Sequence, residues 1–520
     1  MWRSVVLICV FVFNVAAQES KLGRVEFPTS GSPQAQAHFL RGLAALHSFW
    51  YEEALEAFRE STKVDPDFMM GYWGEAMTYN HPLWSEQDIA AARLVLAKIK
   101  VTPKLTERER AYLNAVRLLY GDGDKRVRDA AYSAAMEVIY RSYPDDLDAA
   151  AFYSLSLLGL VNSQDKSYRL QARAGAIALD VYQKNPNHPG AAHYIIHAFD
   201  DPEHAILALP AARRYASIAP EAHHAQHMPS HIFLQLGMWP EAAASNEAAW
   251  QSSDAWMKRK NLSVNVRDYH SLHWLLYAYL QQGRYQKAEQ LLALMKKVMS
   301  ESTYDNKLRP GYYENNWANM AAAFIVETER WKLASELFPE NKPNSDQAAT
   351  NGASHGGSHG ATLRTSMASH KLPVFVRALN GSGGDLDSLG PINKLEVEAQ
   401  NASMKKDHST AIELMKKATA LEEQSGAPYG PPNLIKPSHE LFGEILLRAG
   451  QPKEAVEKFQ VALQRQPNRA RSLLGLARAA AQSGDAATAR ATYTKLLEQW
   501  KEADADLPEL REARDYVKSN

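Results

Sequence analysis

A spacing of 34 residues constrains this chain more than any other property of its 520 residues. In the run PSHELFGEILLRAGQPKEAVEKFQVALQRQPN (437–468), Gly443, Gly450, Ala455, Phe459, Ala462 and Pro467 punctuate a helical pattern. One period later stand Ala477, Gly484, Ala489 and Tyr493, and near the other end Gly42, Ala54, Phe58 and Pro66 keep the same offsets. The cause is geometric. Small residues let two antiparallel helices approach, the aromatic fills the gap to the next pair, and proline, which has no N–H to give, ends the second helix. A chain with this period does not close one central core; it stacks helix pairs into a right-handed superhelix.

Between these clear units the register drifts. Residues 87–185 are helical in pattern, with segments near 88–99, 107–120, 126–142, 146–161 and 165–184. Asp145 and Ser163 are candidate caps, and Thr106 with Glu109 three residues on has the form of a capping box. In the second unit HPLW falls where a second helix would begin, so that unit is expected to be irregular. The chain divides into an array over 36–338, a Gly/Ser/Asn-rich insertion or linker over 339–392, and further repeats over 393–520.

These units resemble tetratricopeptide (TPR) repeats. The chain is also similar to a group of exported TPR proteins in GYWGEAMTYNHPLW (71–84), AAHYIIHAFDDPEHA (191–205), HAQHMPSHIFLQLGMW (224–239) and RSLLGLARAA (471–480), a likeness covering 37–335 and 430–500. The resemblance implies an all-α TPR α-solenoid of helix-turn-helix repeats. It also implies a concave groove, lined by positions 2, 5, 9, 12 and 13 of each unit's first helix, that takes a peptide or partner protein.

Against that register the histidines are ordered. Pro220 at position 32 places His193 and His197 at positions 5 and 9, with Asp200 at 12. Gly237 in the next turn places His227 and His231 again at 5 and 9, and His224 at 2. Gly283 in the turn after places His270 and His273 at 2 and 5. Residues four apart on a helix are surface neighbours, and imidazole nitrogen is a good ligand for zinc or copper. His193, His197, His227, His231 and Asp200 are therefore the candidate metal set, with Asp200 as a ligand or as the orienting partner of one. His47, Glu75, His81, His224, His270 and His273 are further groove candidates, whereas His223 is expected to face solvent. Four histidines on one ion would suit storage or structure; two ions would leave room for substrate, as an oxidoreductase or hydrolase needs. The competing readings are a metal-free groove that binds an anionic or peptide ligand or a partner protein, and buried, hydrogen-bonded histidines that only specify packing.

The remaining features bound the setting. MWRSVVLICVFVFNVAAQES has a basic start, an apolar run and a small-residue cleavage site, the form of a signal peptide over 1–17, so the protein is expected to be secreted. The only cysteine, Cys9, falls within it, which removes thiolates from the mature chain. Asn261, Asn380 and Asn401 are sequons for glycosylation. A net charge of -1 gives no reason to expect nucleic acid or a membrane surface as partner. His355 and His359, separated by glycines, read as loop rather than as a metal tract.

Overall fold

The computed structural model describes residues 21–162, 165–301, 312–338, 371–381, 385–425, 430–431 and 435–519. The signal peptide expected over 1–17, the cap expected at Ser163 and the His355/His359 tract lie outside them. Antiparallel helix pairs follow one another from Pro33–His47 and Tyr51–Val64 to Ala470–Ser483 and Ala486–Gln499, closed by Pro508–Ser519. This is the α-solenoid that the 34-residue period predicts. Phe459 shows how the period works: a methyl group on Gly443 or Gly475 would sit 2.7 or 2.3 Å from its ring, so two helices meet on one aromatic wedge.

Local signals hold with small shifts. Thr106 and Glu109 form the capping box on Glu107–Leu119, while Asp146, not Asp145, caps Leu147–Gly159 by accepting from the Ala149 N–H. The HPLW interruption becomes a 3-10 turn, Pro82–Trp84, flanked by a two-residue antiparallel ladder. The leader before Pro33 is irregular but anchored, because Phe27 is buried against Phe39, Trp73 and Tyr112. Within the expected insertion, KLPVFVRAL forms the helix Lys371–Leu379, which buries Leu372, Phe375 and Val376 and packs on Tyr312–Thr328. An apolar stripe on nine residues is enough to extend the stack there.

The array curls until distant repeats touch. Trp239 Nε1 donates to the Asn468 carbonyl at 2.8 Å, and Trp500 Nε1 donates to that of Gln281 at 3.0 Å. Between them Arg469, fully buried, reaches Glu327 at 2.5 Å, Glu440 at 2.7 Å and the Tyr277 hydroxyl at 2.7 Å. At the other end the first turn packs Phe49 against the face of Pro189–Ala198. No helix of the described residues is long and apolar enough to cross a membrane.

Candidate metal centre

Three consecutive first helices carry the histidines. Pro189–Ala198 starts on proline, with His188 as its N-cap accepting from the Ala191 N–H at 3.2 Å. The next is broken at Met228 into His223–His227 and Pro229–Gln235. Pro229 has no N–H for the preceding turn, and Ser245 Oγ donates to the Gln226 carbonyl at 2.5 Å beside the break. The third is Tyr269–Gln281, capped by Asp268.

The four periodic histidines do not make up one ligand set. Each pair instead recruits the position-2 histidine of the following repeat. His193 Nε2 lies 3.0 Å from His197 Nε2 and 3.2 Å from His224 Nε2. His227 Nε2 lies 3.0 Å from His231 Nε2, and His270 completes that group. In both triads the ligand atoms fall within 4.8 Å of one another, which makes them geometrically compatible with a metal ion. Nitrogen ligands held tetrahedrally at ~2.0–2.1 Å stand about 3.3 Å apart. The triads are adjacent: His197 faces His231, and His224 faces His227, with 6.0 Å between ring centroids in each case.

Hydrogen bonds at the far nitrogens fix which atom each ring presents. His193 Nδ1–H donates to the His47 carbonyl at 2.8 Å. His227 Nδ1–H donates to Asn246 Oδ1 at 2.7 Å, and Asn246 Nδ2 donates to the Ala242 carbonyl, which sets the amide's orientation. His231 Nδ1–H donates to Asp200 Oδ2 at 2.6 Å, and Asp200 Oδ1 accepts from Gln235 Nε2 at 3.1 Å. His227 and His231 thus both turn an unprotonated Nε2 toward the same point, 3.0 Å apart. Two lone pairs at that distance repel unless a cation lies between them. A proton is a poor choice: burial first, and neighbouring imidazoles second, hold His193, His197, His224, His227 and His231 well below the ordinary histidine value.

Aromatic rings wall both triads. The Phe49 ring packs on His193 at 4.3 Å and stacks on His197 and His224, and Trp84 stands 6.2 Å from His224. Trp274 lies 4.2 Å from His231 and 4.9 Å from His227. His193, His227 and His231 are buried and His270 is exposed, so the second triad meets solvent on the His270 side. The open groove expected for these positions is therefore filled at this point of the array, because the first repeat and Trp274 cover it.

The other candidates lie elsewhere. His47 meets Asp148 and His188 in a third buried group. Its Nε2–H donates to Asp148 Oδ1 at 2.8 Å and its Nδ1 accepts from the Tyr194 hydroxyl at 2.9 Å. No bare nitrogen of His47 is left, so this is a hydrogen-bonded support whose backbone carbonyl orients His193. Burial opposes the Asp148 charge, but the bonds from His188 and His47 hold its carboxyl well below the usual range. Gly190 makes room for it, since a Cβ there would lie 2.4 Å from His47 Nδ1. Glu75 pairs with Arg59 at 2.8 Å, and His81 stacks on Tyr51 at 3.9 Å; neither joins a triad. His273 is outside both, and burial pushes it down to about 3. His223, expected in solvent, is part-buried with Asp268 at 3.4 Å. Asn261 and Asn380 are exposed, and Asn401 is partly buried.

Sequence reasoning missed Asn246, His188, Asp148 and Phe49. Asn246 sits on a second helix, His188 caps the first helix from outside its groove positions, and Asp148 and Phe49 come from other repeats, so groove position carries no signal for them.

Stacked helix pairs with turn glycines and aromatic wedges define the class as an α-solenoid. Residues 35–68 and 441–506 match tetratricopeptide repeat families, and the chain is a TPR-repeat protein. No curated protein matches it in sequence. Among solved structures, the human IFIT1 dimer with m7Gppp-AAAA is similar at 11% identity over 95% of this chain and 90% of that one, with a TM-score of 0.35. The APC/C hetero-tetramer Cut9–Hcn1 (11% identity, 93% and 75% covered, TM-score 0.34) and yeast Tom70 (11%, 94% and 88%, 0.30) are comparable. Nothing about ligand or partner transfers to this chain at such scores.

Proposed function

We propose that this TPR-repeat protein binds two transition-metal ions side by side, one on His193, His197 and His224 and one on His227, His231 and His270. The observation that carries the reading is the approach of His227 Nε2 to His231 Nε2 at 3.0 Å, beside His270, with each ring fixed from behind by Asn246 or Asp200. Asp200 serves as the orienting partner of His231 rather than as a ligand. Three protein ligands per ion leave an open position at each, which is the condition for catalysis rather than storage. The ligand set is all nitrogen and neutral, which suits copper or zinc. The peptide-groove reading needs these positions open, and the burial of His193, His227 and His231 speaks against it. Secretion rests on the N-terminal sequence alone, and the sequons become relevant only with it.

Elemental analysis of untagged protein, after dialysis against copper or zinc, tests the reading. Two ions per chain are expected, falling to one in His193→Ala and in His227→Ala and to none in the double variant. Wild-type protein that takes up no metal above background sinks it.

A further inference from the structure

Behind Phe49 lies a cavity that the metal reading does not use. Leu46, Met77, Leu119, Phe152 and Leu155 make its apolar walls, and Phe49 closes the side nearest the His193 triad. Three polar atoms on its lining, the hydroxyls of Tyr51 and Tyr132 and Oδ1 of Asp129, are buried with no hydrogen-bond partner among the described residues. Buried polar groups are nearly always paired with protein or with ordered water, so three orphans on one cavity mark a place for a small polar guest that would displace water there. The other carboxylate oxygen of Asp129 is held by Lys125 at 2.7 Å, which balances its charge. The missing partner is therefore neutral, donates a hydrogen bond to Asp129, accepts from a tyrosine, and is otherwise apolar.

Phe49 itself is unusual. In four other repeats the corresponding turn carries a glycine at positive φ: Gly237, Gly283, Gly450 and Gly484. Here a phenylalanine holds φ at 54°, a region that disfavours bulky side chains. Lys406 also departs from glycine at such a turn, but it is exposed. The strained backbone puts the Phe49 ring between the cavity and the histidines, one side chain thick.

We propose that this cavity binds a small single-ring phenol, with its hydroxyl on Asp129 and the tyrosines, and that Phe49 is the partition between it and the His193 triad. The unoccupied space amounts to about 490 Å3, part of it open to solvent, yet a water-sized group is free to move in only about 30 Å3. The ring therefore enters as the Phe49 side chain shifts. The proposal stands on the cavity and not on the metal, so it is tested on metal-free protein.

Phenol binding is measured by calorimetry on wild type, Tyr132→Phe, Asp129→Asn and Phe49→Gly, with thermal unfolding as the check on folding. Saturable binding is expected, weakened roughly fivefold or more by loss of either polar partner. Phe49→Gly should tighten it several-fold, because it enlarges the cavity and suits the positive φ. Tyr132→Phe, nearly isosteric, decides the matter where Asp129→Asn fails to fold. No saturable binding, or binding indifferent to both Tyr132→Phe and Phe49→Gly, overturns the proposal. Binding seen only after metal loading also overturns it, since it puts phenol on the ion instead.

Discussion

Asp200→Asn separates the two ways a carboxylate can serve this centre. Asp200 accepts from His231 Nδ1 at 2.6 Å, and its side chain is 1% exposed, so the bond is charge-assisted and poorly screened. Asparagine keeps the shape and an acceptor, and the Gln235 amide can turn to meet the new NH2. What is lost is the charge that makes His231 a stronger ligand and holds its proton on Nδ1. Losses of this kind cost about 10–100-fold in metal affinity, or roughly 1.4–2.7 kcal/mol. Only the His227, His231 and His270 site should weaken, because the other site is fixed through the His47 carbonyl. Competition against a chromophoric chelator, resolved into two steps, reads both affinities. One step should shift by that factor while the stoichiometry stays at two. Loss of an ion outright would make Asp200 a ligand, and an equal shift at both sites or at neither would refute the orienting role.

Three further outcomes follow from the structure. The metal-free protein should lose stability as pH falls below about 6.5: there the unfolded chain protonates its histidines while His193, His197, His224, His227 and His231 stay neutral in the fold. Each such ring takes away about 1.4 kcal/mol per pH unit, down to about pH 3 for His273; urea melts that are flat between pH 7.5 and 5 would contradict this. Arg469→Leu strands Glu327 and Glu440 in the interior and should cost about 3–5 kcal/mol, read as a lowered urea midpoint; a change under about 1 kcal/mol would mean the carboxyls find other partners. Gly475→Ala drives a methyl to 2.3 Å from the Phe459 ring and should cost about 1–3 kcal/mol, whereas Gly450→Ala, with nothing within 4 Å, should show only the strain of its positive φ.

Much of this architecture was legible because a repeat turns sequence offset into spatial direction. Gly443, Phe459 and Pro467 announce a helix pair, and the offsets of His193, His197, His227 and His231 put them on one face of neighbouring helices. Their assortment was not legible. His224 and His270 could be placed at position 2, but their joining the preceding repeat's pair depends on the stagger between units, which no single unit encodes. His273 shows the limit of extrapolation: it repeats position 5, yet position 9 is Tyr277, so a third triad does not follow. Phe49 and His47 reach the site because the superhelix curls, a long-range property written in no local pattern. Pro229, a helix breaker by rule, is tolerated because it opens the second piece of the broken helix, where a first-turn N–H has no helical partner to lose.

Each triad draws on two neighbouring repeats, and this changes how the array comes apart. A solenoid unravels piecemeal, since every unit touches only the next. Two rivets, one from the Pro189 unit to the His223 unit and one from there to the Tyr269 unit, would turn three units into a single mechanical block. Stripped of its ions, that stretch would open a unit at a time; loaded, it would resist pulling until it gave way whole.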